Sequence, residues 1–177
     1  MESEACLRFA ENPEVNGAAN RICFIQNEAF IITEWGCANM IRYEDTISPE
    51  EYMELRKKVG WTEFPLEQAE ACISKAYMIL CVRDDEKAIG VARLLWDGGY
   101  IAFLSDVIVD SEYRGQGIGR KLVESCIQKL KSDMKPGYKV KMTLNSAKGK
   151  EAFYEKFGFR VRPNEDAGPG MDQWFAG

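Results

Sequence analysis

The stretch that most restricts how this chain can fold is Val107-Ile108-Val109, then Asp110-Ser111-Glu112-Tyr113, then Arg114-Gly115-Gln116-Gly117-Ile118-Gly119-Arg120. Apolar β-branched residues end a strand, a short turn follows, and glycines at alternate positions lead into Ile118, Leu122, Cys126 and Leu130. Recurrence every four residues, with Val123 and Ile127 alongside, is the spacing of a helix with one buried face. A strand that runs through a glycine loop directly into an amphipathic helix needs a sheet to pack on, which makes the chain α/β. Glycine lets the backbone approach a ligand closely, and the unbonded amides and dipole of a helix N-terminus favour an anion. Arg114 and Arg120 bracket the loop with positive charge. The loop therefore reads as a phosphate cradle.

The surrounding sequence predicts the rest of that sheet. Strand-like runs at 77–82, 88–96 and 100–109 are separated by Asp84-Asp85-Glu86 and Asp97-Gly98-Gly99, the turns of antiparallel hairpins. A further strand at 41–45 precedes them. Ser48-Pro49 with Glu51 starts a helix that closes at Gly60, and Pro65 opens a second one to about residue 75. The glycine-led helix spans 117–134. A strand at 138–144, a short helix at 150–157 ended by Gly158, and two last strands at 159–162 and 171–175 complete the expectation. Residues 1–40 form an extension, with strands at 21–25 and 29–35 about a turn, and 41–177 form one domain.

Composition limits the chemistry. The 177 residues are 46% hydrophobic and 29% charged, which excludes a disordered chain. A net charge of −5 leaves no basic excess to neutralise a phosphate backbone, so nucleic acid is not the expected partner. No apolar run reaches the roughly 18 residues of a membrane span, so no membrane partner is expected either. The chain has no histidine, so neither a Ser-His-Asp site, a His-ligated metal nor a His base can be built. Six cysteines contain no C-x-x-C pair, and Cys6, Cys23 and Cys37 lack the fourth ligand of a zinc site. No metal is expected. The acidic Met-Glu-Ser-Glu start does not resemble a secretory signal, and free thiols fit a cytoplasmic location.

Two familiar phosphate loops fail. A Walker loop ends G-K-[ST], where this chain has Gly119-Arg120-Lys121. A dinucleotide fingerprint starting at Gly115 needs Gly or Ala at position 120, which is Arg. Arg114, Gly117 and Gly119 instead match the R-x-x-G-x-G pattern, and Tyr154 with Gly158-Phe159 matches the later Y-x-x-x-G-F pattern, of the GNAT superfamily of acetyl-CoA-dependent N-acetyltransferases. The resemblance covers about residues 41–175. It implies a mixed, mostly antiparallel sheet flanked by helices, with two central strands splayed apart. It implies acetyl-CoA as cosubstrate, its pantetheine arm along Val107, Ile108 and Val109, and its pyrophosphate on the amides of Gly115, Gln116, Gly117, Ile118, Gly119 and Arg120, with Arg114 beside them as a cofactor-binding cation.

The resemblance further implies direct attack of a neutral primary amine on the thioester, with Tyr154 protonating the departing thiolate. Asp106 stands inside an otherwise apolar strand, where a carboxylate is costly unless paired or used. It is the candidate base, with water as the other route and a hydrogen-bonded structural role as the bland reading. The segment 59–66, with Asp106 and Gly170-Met171, is similar to the serotonin-type arylalkylamine acetyltransferase branch of plants, so Trp61 and Phe64 are candidates for an apolar acceptor wall. Their plainer role is packing between helices. The acceptor is a small-molecule or peptide amine. Asn145 lies nine residues before Tyr154, where the family more often places its asparagine seven before. The alternative function is a GNAT fold that binds acyl-CoA without turnover. The extension could add a hairpin to the sheet edge or build a homodimer.

Overall fold

Residues 41–175 are described throughout in the computed structural model, and before them only the backbone of three strands, β1 (Arg8–Ala10), β2 (Arg21–Ile25) and β3 (Glu28–Ile32). These form an antiparallel sheet in the order β1-β2-β3, with Ile25 opposite Glu28. The expected hairpin strands are present, the second of them shorter, and β1 is an addition that sequence did not suggest. The remaining expectations for the extension, including the surroundings of Cys6, Cys23 and Cys37, fall outside the described residues.

The main sheet is β4 (Ile41–Glu44), β5 (Met78–Asp84), β6 (Lys87–Trp96), β7 (Ile101–Val109) and β8 (Lys141–Leu144), in that order. All neighbours are antiparallel except β7 and β8, which are parallel and joined by the helix α3 (Ile118–Asp133). This is the mixed, mostly antiparallel α/β architecture that the sequence predicts. Helices α1 (Pro49–Lys58) and α2 (Leu66–Ser74) cover one face and α3 the other. Leu122, Val123, Cys126 and Leu130 of α3 bury against Val82, Ile89, Leu94 and Leu104. Tyr52 and Leu55 of α1 meet Cys81, Val91 and Ile108 on the opposite side. Each such large side chain stabilises by about 1.5–3 kcal/mol when buried.

The start of α1 follows the sequence signal. Ser48 caps it through a reciprocal box: Glu51 N donates to Ser48 Oγ at 3.2 Å and Ser48 N to Glu51 Oε2 at 3.0 Å. The same Glu51 receives the Arg83 guanidinium from β5, Nη1 at 2.5 Å and Nη2 at 2.9 Å. Cap and sheet anchor are therefore one residue. Val59 ends the helix, with Gly60 beyond it at φ 73°.

The last two expected strands are corrected. From Phe159 onward the chain is irregular apart from the paired residues Asn164 and Ala167. The Asn164 side chain accepts from Asp166 N and donates to Val161 O, turning the chain where a strand was expected. Pro163 and Pro169 have no amide to give a ladder. Strand β8 also starts at Lys141 rather than 138, because Pro136-Gly137 makes a turn in which Tyr138 N bonds Lys135 O. The outer edge of β8 has no strand beside it among the described residues. No helix among the described residues is long and apolar enough to cross a membrane.

Candidate active site

The pairing of β7 changes halfway along it. Residues 101–104 pair with β8, ending at Leu104 opposite Leu144, while β7 itself continues to Val109. Residues 105–109 thus keep β6 on one side and have no strand on the other among the described residues. Apart from Val109 O, which accepts from Arg114 Nε, their backbone groups on that edge can bond an extended ligand, as a further strand would. Val107, Ile108 and Val109 lie in this stretch.

A β-bulge coincides with the opening. Val91 pairs with Ile108 and Arg93 with Ser105, so Asp106 and Val107 together oppose Ala92. Asp106 adopts φ 49°, a left-handed conformation that Asp tolerates better than most residues. The extra residue resets which face each side chain joins. Ala102 and Leu104 point to the α3 side before it; after it Val107 and Val109 do so, and Ile108 joins the α1 side.

Strand β7 then passes through the short 3-10 turn Ser111–Tyr113 into the glycine loop. Asp110 caps that turn and is buried, its Oδ2 receiving Lys58 Nζ at 2.9 Å. Gly115 and Gly117 both stand at φ 82°, and Gly117 is the N-cap of α3 with no side-chain cap of its own. Among the described residues the first backbone amide past Arg114 to bond a carbonyl is that of Lys121, to Gly117 O at 3.0 Å. The six amides from Gly115 to Arg120 therefore remain available at a helix N-terminus, which suits a diphosphate. Gly119 has neither a positive φ nor a crowded site: a Cβ there would meet Phe153 at 3.5 Å and Val109 at 3.6 Å, ordinary packing distances. Arg114 and Arg120 are exposed; Arg114 Nε donates to Val109 O, and Arg120 pairs with Glu124 at 3.2 Å. They belong to a wider asymmetry, since from Arg114 to Arg162 thirteen Lys and Arg, all exposed, accompany four Asp and Glu.

Tyr154 lies on the short helix α4 (Glu151–Glu155), half-buried, its ring edge-on to Phe153 at 5.0 Å and to Phe159 at 6.2 Å. It packs against the same cluster as Val107, Val109 and Leu144. Burial pushes its phenol above the ordinary pKa of 10.0, which keeps it protonated. Tyr154 also lines a cleft of about 730 Å³ between β8 and the C-terminal segment, along with Thr143, Asn145, Asp166 and Asp172.

Asp106 is engaged on both oxygens. Oδ1 receives Arg56 Nη1 at 2.8 Å, and Oδ2 receives Arg93 Nε at 2.5 Å and Tyr52 Oη at 2.7 Å. Its side chain is 7% exposed. Both oxygens are thus taken up by hydrogen bonds within the fold, the arrangement that a structural carboxylate would have. It sits on the α1 face, whereas Tyr154 packs on the α3 face. Trp61 and Phe64 are partly buried around Arg56, whose guanidinium carbon lies 5.3 and 4.6 Å from their ring centres. Neither lines the cleft beside Tyr154. Sequence reasoning missed Arg56, Arg93 and Tyr52. One signal was present: Arg93 interrupts the apolar run 88–96 as Asp106 interrupts β7, two opposite charges on adjacent strands.

Residues 75–161 match the family described as an acetyltransferase (GNAT) domain. The chain is 32% identical over 93 residues to a chloroplastic GCN5-related N-acetyltransferase of Arabidopsis thaliana, covering 41% of this chain and 36% of that protein. It is 30% identical over 118 residues to a histone acetyltransferase of Glycine max, covering 60% of this chain and 49% of that one. It thus spans between a third and a half of the length of these two relatives. A solved structure of a probable acetyltransferase from methicillin-resistant Staphylococcus aureus superposes with a TM-score of 0.68 at 25% identity, covering 76% of this chain and 100% of that one.

Proposed function

Because residues 75–161 match the acetyltransferase (GNAT) domain family and the fold matches that of a probable acetyltransferase, we propose that the chain is an acyltransferase of this family, moving an acetyl group from acetyl-CoA to a primary amine by direct attack. The observation that carries this reading is the pair of unbonded backbone stretches on either side of the 3-10 turn, the open edge of β7 at 105–109, where only Val109 O is taken by Arg114, and the uncapped amides 115–120 at the start of α3. The edge suits the amide-bearing pantetheine arm and the amides suit the pyrophosphate. Acetyl-CoA supplies the activated carbonyl.

The residues of the chain divide the remaining work. The amine nitrogen bonds to the thioester carbonyl carbon as the carbon–sulfur bond breaks, and the sulfur takes the Tyr154 phenol proton. The amine loses its proton to water, because both Asp106 oxygens are occupied. The cleft wall is close to balanced in charge, with Glu151, Glu155, Asp166 and Asp172 against Lys141, Arg160 and Arg162, and Arg160 pairs with Asp166 at 2.6 Å.

Thermal unfolding with acetyl-CoA, CoA and NAD in parallel tests the proposal. Ligand at about 100 times its dissociation constant adds about 2.7 kcal/mol, or several degrees for a chain of this size. A shift with the CoA compounds alone is expected, followed by turnover in a screen of primary amines. No shift with acetyl-CoA, or an equal shift with NAD, overturns it.

A further inference from the structure

Asp106 and its three partners form a closed cluster that draws on four places in the fold. Tyr52 and Arg56 come from adjacent turns of α1, Arg93 from β6 and Asp106 from the bulge of β7. Arg56 and Arg93 are each 9% exposed and the Asp106 side chain 7%. The arginines extend the cluster further: Arg93 Nη1 donates to Cys72 O of α2 at 2.6 Å, and Arg56 Nη2 to Thr62 O of the loop between the helices at 3.2 Å. No other charged or titratable group bonds Asp106 among the described residues.

We infer that Tyr52, Arg56 and Arg93 are positioning residues for the acetyl donor, acting through Asp106 on the bulge that turns residues 107–109 into the cofactor cleft. The argument is geometric. Without the extra residue at the bulge, β7 would keep its alternation, and Val107 and Val109 would exchange faces with Ile108. The left-handed backbone at Asp106 is unfavourable by itself and persists where its surroundings hold it. Here the holding groups are three side chains on one carboxylate. They sit on the face away from Tyr154, so they act on the shape of the ligand-bearing edge rather than on the reacting atoms. The inference rests on the proposed acetyl-CoA reading, and the experiment separates the two.

Acetyl-CoA is titrated calorimetrically into the wild-type chain and into the Tyr52→Phe, Arg93→Met and Asp106→Asn variants, and kcat and KM are followed against pH. Tyr52→Phe removes one hydrogen bond and no charge. Arg93→Met leaves the one-to-one pair of Arg56 with Asp106. Asn tolerates the left-handed backbone, so Asp106→Asn removes the charge alone. Loss of one such bond should raise the acetyl-CoA dissociation constant about three- to tenfold, with a larger rise for Asp106→Asn. At saturating acetyl-CoA kcat should fall less than the affinity, and the acidic limb of the pH profile should persist in Asp106→Asn. Arg93→Lys should not rescue, since an ammonium cannot reproduce the fork that reaches Asp106 and Cys72 O together. Unchanged affinity in Tyr52→Phe and Arg93→Met overturns the inference, including where these variants merely melt earlier. Loss of kcat with loss of the acidic limb, at wild-type affinity, in Asp106→Asn also overturns it and makes Asp106 the base. If Asp106→Asn does not fold, Tyr52→Phe decides. A wild-type chain that does not bind acetyl-CoA removes the functional reading and this inference together; binding unaltered by the variants removes only the inference.

Discussion

At the scale of single residues, Tyr154 carries the clearest expectation. Its phenol is held above pKa 10.0 by burial, so it keeps its proton at neutral pH and gives it up only in strongly alkaline solution. Replacing it by Phe should lower kcat about 100- to 1,000-fold, within the range general acids contribute, while calorimetric CoA affinity stays the same. The alkaline fall in kcat, lying above pH 10 in the wild type, should be absent from the variant. Equal kcat in the two would move the acid elsewhere. Position was legible here, because Tyr154-x-x-x-Gly158-Phe159 is a local pattern. The state of Asp106 was not. A carboxylate inside an apolar strand reads the same way whether it is a free base or a paired anchor, and the deciding partners, Arg56 and Arg93, are 50 and 13 residues away.

At the scale of elements, the glycine loop separates two uses of the same residue. Gly117 has open space around a Cβ but stands at φ 82°, so Gly117→Ala should cost about 1–2 kcal/mol from the backbone alone. Gly119 has no such backbone and only ordinary contacts, so Gly119→Ala should be neutral or stabilising by up to about 1 kcal/mol. Urea unfolding of the two variants checks the order. Helix α1 gives a pH-dependent counterpart. The Arg83 guanidinium lowers the Glu51 carboxyl from 4.5 to about 2. A depressed pKa contributes stability above the unfolded value that disappears as pH falls toward the folded one. Glu51→Gln should therefore cost about 1–2 kcal/mol at pH 7, allowing for partial solvent screening, and only a small fraction of that near pH 2. A constant difference between these pH values would break the link to Arg83. The helix starts and the hairpin turns were readable because their signals span three or four residues. The strands expected at 159–162 and 171–175 failed because apolar residues there satisfy a pattern without a ladder. Met171, Trp174 and Phe175 are 96%, 78% and 83% exposed, and no strand pairs with them.

At the scale of the whole molecule, fold class was legible from the order of the elements, since hairpins followed by strand, helix and strand permit few sheets. The splay between β7 and β8 was legible only through family resemblance. Its physical cause, a ladder that stops at Leu104 just before a bulge, depends on register, which a single sequence does not display. The charge asymmetry shows the same limit of summation. A net −5 conceals a surplus of nine positive charges between residues 114 and 162, set against an acidic remainder. Charge is thus unevenly distributed along the chain, and the net value misdescribes it. At pH 7 and low salt it should be retained on a sulfonate cation-exchange column that a uniformly charged protein of pI about 5.0 would pass through. Charge reversal at Lys131, Lys135 and Lys139, exposed and away from the glycine loop, should abolish that retention without changing the fold. A purification designed from the isoelectric point alone would look for this protein in the wrong fraction.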